Sequence, residues 1–281
     1  MKHKIKSGGD LAFNCISSVI LFLALLVTFY PFMWMVLNSF RTTQEIFQHS
    51  FAMPSHFNFS VYRDAWKQAN FSATFKNSVI VTVAIVAITI LFGSMAAFAI
   101  ARLRFPGRIV LHRLLSSSMI ISGQLILIPL FFIIRNLKLY DNLLAVIFSS
   151  SAISMPFAIV FLHSFFRDIP TEIEESTVMD GCPKRVFFLR FILPLSKPAL
   201  ASLGIFQSLA AWNEYLYSLT FLKTESIRTI PLQMVNFFVM YRTEWQKLFA
   251  ALTIAVVPLL ILYGVSQKYF IRGLTAGAVK Q

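Results

Sequence analysis

Charged side chains are scarce in this sequence of 281 residues: Asp, Glu, Lys and Arg make up 13% of it, against about 25% of an ordinary soluble domain. Hydrophobic residues reach 57%, with 30 Phe and 10 Met, and the mean hydropathy is +0.70. So little polar surface cannot cover a core of this size in water. The composition therefore excludes a soluble protein and indicates an integral membrane protein.

Acidic residues are scarcer than basic ones, 12 against 25, which gives a formal net charge of +13. A nucleic-acid-binding protein can carry such a charge, but it gathers the charge on one surface. Here the basic residues fall in short clusters between long apolar runs, as in the cytoplasmic loops of membrane proteins. The charge pattern favours a membrane topology over nucleic-acid binding.

Two further absences limit the chemistry. The cysteines, Cys15 and Cys182, are far apart and show no CxxC or Cys/His metal spacing, so neither a disulfide framework nor a metal site is indicated. The ten glycines include no GxxxxGK[ST] loop to cradle phosphates. We therefore expect no catalytic site, no cofactor and no ATP hydrolysis in this chain by itself.

Long apolar runs are abundant. A membrane core of about 30 Å requires about 20 residues of helix, and unpaired backbone groups are too costly in lipid for other spanning structures. The sequence predicts an all-α fold, one transmembrane domain over residues 1–281. The first run lacks a small-x-small cleavage site, so it is interpreted as a retained span. The six predicted spans are about 11–37, 77–101, 114–134, 143–166, 199–222 and 249–271.

The basic residues also predict the orientation. With the amino terminus in the cytoplasm, the inner segments hold 15 of the 25 Lys and Arg residues, including the cluster RLRFPGR at 102–108. Because basic residues are retained on the cytoplasmic side, both termini are predicted to be cytoplasmic. Segment 167–198 then lies inside and segment 223–248 lies outside.

Segment 167–198 is long, polar and unsuited to lipid. The glutamates at 172–175 complement the positive amino end of a helix, and Gly181 is a stop signal. A short helix ending near Asp180 is predicted, followed by an amphipathic piece over 184–191. On composition, an interfacial helix and a docking element fit this segment equally well.

The same segment resembles the EAA loop of permease subunits in binding-protein-dependent ABC importers. In that pattern an acidic residue precedes two alanines, a glycine stands six positions after the acid, and Leu-Pro follows twelve and thirteen positions after the glycine. Glu175 and Gly181 match, whereas Ser176 and Thr177 replace the alanines. The residues that the resemblance assigns to ATPase coupling are Glu175, Ser176, Thr177, Asp180, Gly181, Leu193 and Pro194.

Other fragments resemble the carbohydrate permeases of the maltose-transport type, in particular their second permease subunit. They are PFMWMVLNSFRTTQEIF at 31–47, NSVIVTVAIVAITILFGSMAAFAIARLRFPGR at 77–108, IPLFFIIRNLKLYDN at 128–142, AWNEYLYSL at 211–219, RTIPLQM at 228–234 and GLTAGAVK at 273–280. The resemblance implies a type I importer permease in the bacterial cytoplasmic membrane, which forms half of the pathway for a sugar.

The resemblance also implies the partners: a second, different permease subunit, two copies of a cytoplasmic ABC ATPase that bind ATP and Mg, and an extracytoplasmic sugar-binding protein. The 223–248 loop is expected to meet the binding protein, because Tyr241, Arg242 and Trp245 are of the kind that anchors interfaces. A loop resting on lipid is the alternative, since tryptophan also prefers the membrane interface.

Polar residues within the spans are the candidates for the substrate pathway. Sugars bind through hydrogen bonds to amides and carboxylates and through aromatic faces. Asn213 and Glu214 fit a pathway and a tie between helices equally well. Gln124 is interpreted as an interhelical hydrogen bonder, and His163 as a snorkelling residue or an interhelical hydrogen bonder. The candidate pathway residues are Gln207, Trp212, Asn213, Glu214 and Tyr215.

Two other function classes are weighed against the importer. An ion-coupled secondary transporter is disfavoured because acids within the spans are few, and an integral membrane enzyme because no cluster of His, Cys or carboxylates has catalytic spacing. Sugar uptake that survives ATP depletion and collapses with an uncoupler would favour the first. Turnover of a lipid by the purified chain would favour the second. The sequence does not identify the sugar.

Overall fold

The computed structural model describes residues 8–49, 52–240 and 244–278. Over these ranges the secondary structure is helical and contains no strand, which confirms the all-α prediction. The helices are α1 (Gly8–Asn38), α2 (Thr43–Gln48), α3 (Ser60–Gln68), α4 (Phe71–Arg102), α5 (Arg108–Ser118), α6 (Leu127–Asn136), α7 (Leu143–Asp168), α8 (Thr171–Met179), α9 (Lys184–Phe187), α10 (Leu193–Leu195), α11 (Lys197–Trp212), α12 (Leu216–Phe221), α13 (Ile230–Met240) and α14 (Trp245–Ala278). A π-helical turn, Phe188–Ile192, joins α9 to α10, and a 3-10 turn covers Glu225–Ile227.

Within the described residues, three helices are long and apolar enough to cross a membrane: α1 over Ile16–Asn38, α4 and α7. The Lys184–Leu195 segment and α11 meet at an angle of 75° and form a fourth crossing if they are counted as one bent span. The helix α14 has 34 residues, a length of about 50 Å. These helices cover the predicted spans at 11–37, 77–101, 143–166 and 249–271.

The stretches predicted as spans over 114–134 and 199–222 are each interrupted in the structure. Residues 119–126 are non-helical between α5 and α6, and residues 213–215 separate α11 from α12. Ser116 and Ser118 donate hydrogen bonds to backbone carbonyls of their own helix just before the first break, and such local bonds compete with regular structure. In the second break, the Glu214 carboxylate accepts hydrogen bonds from the backbone N–H groups of Tyr217 and Ser218 at the start of α12.

The chain forms two compact units. One combines the residues up to Ala69 with Phe237–Val256, and the other combines Asn70–Asn236 with the residues from Val257 onward. In the first unit the ring of Trp245 packs against Phe47 and Phe249, with ring centroids 6.0 Å away in each case. Trp245 is therefore engaged by aromatic side chains of its own unit.

The second unit is built on the pair α4 and α7, which pack along their length. The carboxyl end of each helix is held by a cluster of buried apolar side chains that also includes residues after α8. The cluster comprises Ala97, Phe98, Ile100, Ala158, Ile159, Leu162, Phe166, Phe187, Ile192, Ala199 and Leu203. Because Ile173 and Cys182 pack against the same cluster, the polar segment that contains α8 is packed against the carboxyl ends of these two helices.

Candidate functional site

The helix α8 has a well-defined carboxyl end. The backbone N–H of Cys182 donates to the carbonyl of Thr177 at 2.9 Å, and that of Gly181 donates to Val178 at 3.0 Å. Gly181 itself has φ of +71°, the left-handed conformation that glycine adopts without steric cost. These bonds form a Schellman motif, which confirms the predicted stop at Gly181.

The predicted coupling residues on and after α8 do not all face the same way. Glu175, Ser176 and Asp180 are exposed. Thr177 is buried and donates its hydroxyl to the carbonyl of Glu174 at 2.8 Å, so it stabilises the helix from inside. Met179, at the tip of the helix, is 87% exposed, and sequence reasoning did not single it out.

Leu193 and Pro194 lie in α10, away from the exposed face of α8. Leu193 is half-buried and Pro194 is exposed. They immediately precede the 75° bend between the Lys184–Leu195 segment and α11. The Leu-Pro pair therefore stands where the polar segment returns to the membrane.

A buried charge cluster fixes α8 to the spans. The Nη1 of Arg102, at the end of α4, lies 3.3 Å from Oε2 of Glu174, and the Nζ of Lys184 lies 2.6 Å from Oε1 of the same carboxylate. Arg102 also donates to the carbonyls of Phe166 and Ile169 at the end of α7. Sequence reasoning missed this cluster, and its one signal was an arginine at the start of the basic 102–108 run.

An open cleft of about 900 Å³ lies between α8 and the α4–α5 connection. Its walls carry charges of both signs beside apolar side chains that include Leu103, Val178 and Met179. The lining charged residues are Arg102, Arg104, Arg108, Glu174, Glu175 and Lys184.

The candidate pathway residues are not gathered on one surface. Gln207 and Trp212 are buried, and the ring of Trp212 packs edge-on against Phe75, with the centroids 5.8 Å apart. Tyr215 is half-buried and packs against a second cluster of buried apolar side chains, which includes Val81, Ile85 and Phe221. Asn213 is exposed, and its Nδ2 donates to the carbonyl of Leu209 at 2.9 Å. Only Asn213 among the five thus presents an exposed side chain.

Glu214 caps α12. Its Oε1 accepts from the backbone N–H of Tyr217 at 2.6 Å, and its Oε2 accepts from the N–H and hydroxyl of Ser218 at 3.0 and 2.8 Å. The Ser218 hydroxyl lies 3.1 Å from that of Thr229. Of the two interpretations that the sequence left open, this geometry favours a tie within the protein.

Replacing Glu214 with Ala should therefore lower the melting temperature of the purified permease assembly and leave the Km for its sugar unchanged. The amino end of α12 would lose its acceptor, and each buried donor left without a partner costs about 1–3 kcal/mol. Asn213→Ala is the matched control, because its side chain is exposed. An unchanged melting temperature with a raised Km would assign Glu214 to the pathway.

Gln124 differs from its predicted role as an interhelical hydrogen bonder, whereas His163 contacts a neighbouring helix. Gln124 lies exposed in the break between α5 and α6. The ring of His163 on α7 lies against that of His112 on α5, with centroids 4.2 Å apart. The break itself is closely packed at Gly123, where a Cβ would collide with the hydroxyl of Tyr217.

The start of the 223–248 segment is held in place by hydrogen bonds to Asp141. One carboxylate oxygen accepts from the backbone N–H groups of Lys223 and Thr224 at 2.7 and 2.8 Å, and the other accepts from the Thr224 hydroxyl at 2.5 Å. These hydrogen bonds, that from the Thr224 hydroxyl first, hold the pKa of Asp141 below its usual value. Tyr241 and Arg242, predicted to anchor the interface, lie outside the described residues.

The family model of the binding-protein-dependent transport system inner membrane component matches residues 89–276. The probable ABC transporter permease protein YurM of Bacillus subtilis (strain 168) is 37% identical over 93% of this chain and 87% of its own length. The diacetylchitobiose uptake system permease protein NgcG of Streptomyces coelicolor is 32% identical over 98% of this chain and 90% of its own length.

A solved structure shares the fold. It is a bacterial ABC transporter involved in the import of the acidic polysaccharide alginate, and one of its chains superposes with a TM-score of 0.79 at 24% identity. The match covers 95% of this chain and 100% of that one.

Proposed function

This chain belongs to the family of binding-protein-dependent transport system inner membrane components, and we propose that it is the permease subunit of an ATP-driven importer of a sugar or oligosaccharide. As a family member it is a multi-pass membrane protein and a transport component, with no enzymatic role of its own. A relative that is 32% identical is a permease for diacetylchitobiose uptake, which supports a saccharide as the substrate class.

One observation carries the proposal: α8 is a compact, exposed helix fixed to the inner ends of two spans. Its exposed face combines the Glu175 carboxylate with the apolar side chain of Met179. The Arg102–Glu174 pair joins it to α4. A helix mounted in this way transfers a push from a cytoplasmic partner to the spans, which a loose interfacial loop would not do.

The proposed partners follow from the surfaces of the chain. Two copies of a cytoplasmic ATPase would bind ATP and Mg, because this chain has no phosphate-binding loop of its own. One of the two copies would receive α8 in a cleft. A second permease subunit would supply the other half of the pathway. An extracytoplasmic sugar-binding protein would meet the 223–248 segment, whose start is held in place by Asp141.

The two helix breaks support a pathway through this subunit. Irregular backbone at membrane depth is tolerated where it is buried in protein or lines a water-filled cavity. The hydroxyl of Tyr217, on α12 just after the break at 213–215, lies close to Gly123 in the break at 119–126. Asn213 and Gln124, both exposed, would offer amides to sugar hydroxyls there.

The proposed orientation places both termini and α8 in the cytoplasm. It is supported by the basic residues, which cluster at 102–108 and around α8 as the charge rule for cytoplasmic segments requires. In this orientation α4 crosses from outside at Phe71 to inside at Arg102. The Asp141 contacts then lie on the outer side.

The function is tested by uptake into proteoliposomes that contain this chain and the partner subunits encoded beside it. A panel of labelled sugars is presented with the neighbouring binding protein. We expect uptake of one sugar class only when ATP is inside and the binding protein is outside, because the driving force comes from the cytoplasmic subunits.

Vesicles filled with ADP are the control. A cysteine in place of Lys184, with the native cysteines removed, reports the orientation: it should react with an impermeant thiol reagent only on the side that needs ATP. Uptake driven by an ion gradient in vesicles without ATP would contradict the proposal.

A further inference from the structure

The helix α4 is an unbroken rod between the two faces of the second unit. It has 32 residues and no proline inside, which corresponds to about 48 Å. By contrast, the paths through α5 and α6 and through α11 and α12 are interrupted. A continuous helix passes a displacement at one end to the other with little loss, whereas a break absorbs it.

The inner end of α4 is bound to α8, the proposed coupling helix. The Arg102 side chain is 5% exposed and the Glu174 side chain 16% exposed, with 3.3 Å between Nη1 and Oε2. Arg102 also donates from Nε to the carbonyl of Phe166 at 3.1 Å. The Arg102 guanidinium thus binds both the carboxylate of α8 and the carboxyl end of α7, which fixes the position of α8 relative to α4.

The outer end of α4 is hydrogen-bonded to the first part of the 223–248 segment. The Nδ2 of Asn77 donates to the carbonyls of Ser226 and Arg228 at 2.9 and 3.0 Å. The next residue, Ser78, accepts from the backbone N–H of Ile230 at 2.8 Å. Asn77 and Ser78 are both buried, so these bonds are shielded from water and bind the 226–230 segment firmly to the helix.

We infer that α4 is the element through which engagement of the binding protein at the outer loop is communicated to the ATPase at α8, with Asn77 and Arg102 as positioning residues at its two ends. The inference rests on the proposed function, since it assigns a route between the two proposed partners. Asn77 and Arg102 are 25 residues apart, about 38 Å along the helix. Neither needs to touch substrate or nucleotide for this role.

The inference predicts how the contacts at each end of α4 affect stimulation of the ATPase by the binding protein. In the reconstituted transporter, the ATPase rate with the binding protein and its transported sugar is divided by the basal ATPase rate of the same variant, which gives the stimulation ratio. Asn77→Asp removes both donated hydrogen bonds at nearly constant shape, and Glu174→Gln removes the charge that faces Arg102. Each should lower the stimulation ratio about fivefold or more, the usual size of coupling between distant sites.

Because the contacts at the two ends of α4 act in series, the double variant Asn77→Asp with Glu174→Gln should be no worse than the poorer single variant. Two independent structural defects would multiply instead. Arg102→Lys, which keeps the charge without the planar fork, should retain part of the stimulation. These readouts separate a positioning role from a general loss of folding.

Three matched controls are available. Glu172→Gln changes an exposed acid on the same helix, and Asn136→Asp changes an exposed amide at the end of α6. Lys184→Gln removes the other partner of Glu174, 48% exposed, without touching α4. All three should keep the stimulation ratio near that of the wild type.

The outcomes distinguish the inference from the function on which it rests. If the wild-type transporter shows no stimulation by the binding protein, the proposed function fails. If the wild type is stimulated and Asn77→Asp keeps the full ratio, the role of α4 is overturned while the function stands. A double variant that loses the product of the two single effects also overturns it. If the Glu174→Gln transporter fails to assemble, the stimulation ratio of Asn77→Asp, at the opposite end of α4, tests the inference by itself.

Discussion

Glu175→Lys is expected to release the ATPase from the transporter and to abolish ATP-driven uptake. Glu175 is exposed on α8, and among the described residues no basic side chain forms an ion pair with it. Its carboxylate is therefore available to a partner. A hydrogen bond to a charged group contributes about 1.5–3 kcal/mol, so its loss alone weakens docking about ten- to a hundredfold, and reversal adds repulsion.

Glu172→Lys is the matched control for this result. It reverses an equally exposed charge one turn earlier on the same helix, but outside the EAA-like spacing. Both variants should insert and assemble with the second permease subunit, since neither side chain packs in the core. The measurement is the amount of ATPase that co-purifies, together with uptake. Equal losses in both variants would indicate a general electrostatic effect and remove the special role of Glu175.

Gly181→Val is expected to reduce uptake about tenfold or more while the spans remain folded. Gly181 has φ of +71°, and a left-handed conformation costs an ordinary L-residue about 1–2 kcal/mol and is a genuine outlier for a β-branched one. The turn would therefore relax. The hydrogen bonds that close α8 at Thr177 and Val178 would open, and the exposed tip at Met179 would lose its position.

The control for Gly181 separates backbone strain from crowding. A Cβ built at Gly181 meets no described atom within 4 Å, so steric bulk is not the obstacle. Asn tolerates the left-handed region better than other non-glycine residues, and Gly181→Asn should keep most of the uptake. Comparable uptake by the Val and Asn variants would show that the left-handed turn is not needed.

The coupling helix could be predicted from the sequence because its signals are local. The glutamates near its start and the glycine after its end act within one or two turns, and the structure places the helix at Thr171–Met179 with its stop at Gly181. Which of its side chains are exposed and which are buried could not be predicted from local sequence. Thr177 is buried, and Ile173 on the same helix packs against an apolar cluster that includes Phe187 and Leu162, which come from other helices.

The helix breaks could not be predicted from hydropathy. Residues 119–126 are as apolar as the helices beside them, so a hydropathy average runs through the break. The break also carries a tertiary contact that hydropathy does not report: the Tyr217 hydroxyl lies so close to Gly123 that a Cβ there would collide with it. Likewise, Glu214 was recognised as unusual in a span, but its role as a helix cap depends on where Tyr217 and Ser218 begin a new helix.

The cluster of Arg102, Glu174 and Lys184 shows most clearly what the sequence alone does not predict. Arg102 and Glu174 are 72 residues apart in the sequence, and each lies in a run of like charges, so no spacing rule pairs them. Only the packing of α4 against α7 brings them to 3.3 Å. The EAA-like pattern drew attention to Glu175, which faces outward, and passed over its neighbour, which holds the helix in place.

Coupling of this subunit to a separate ATPase through α8 is measured most directly as the ATPase retained per permease pair after detergent extraction and purification at one fixed salt concentration. We predict two ATPase copies for the wild type and for Glu172→Lys, and almost none for Glu175→Lys. Gly181→Val should fall between these limits, with Gly181→Asn near the wild type. Full retention by both Glu175→Lys and Gly181→Val, with normal sugar uptake, would contradict the assignment of α8 as the coupling helix.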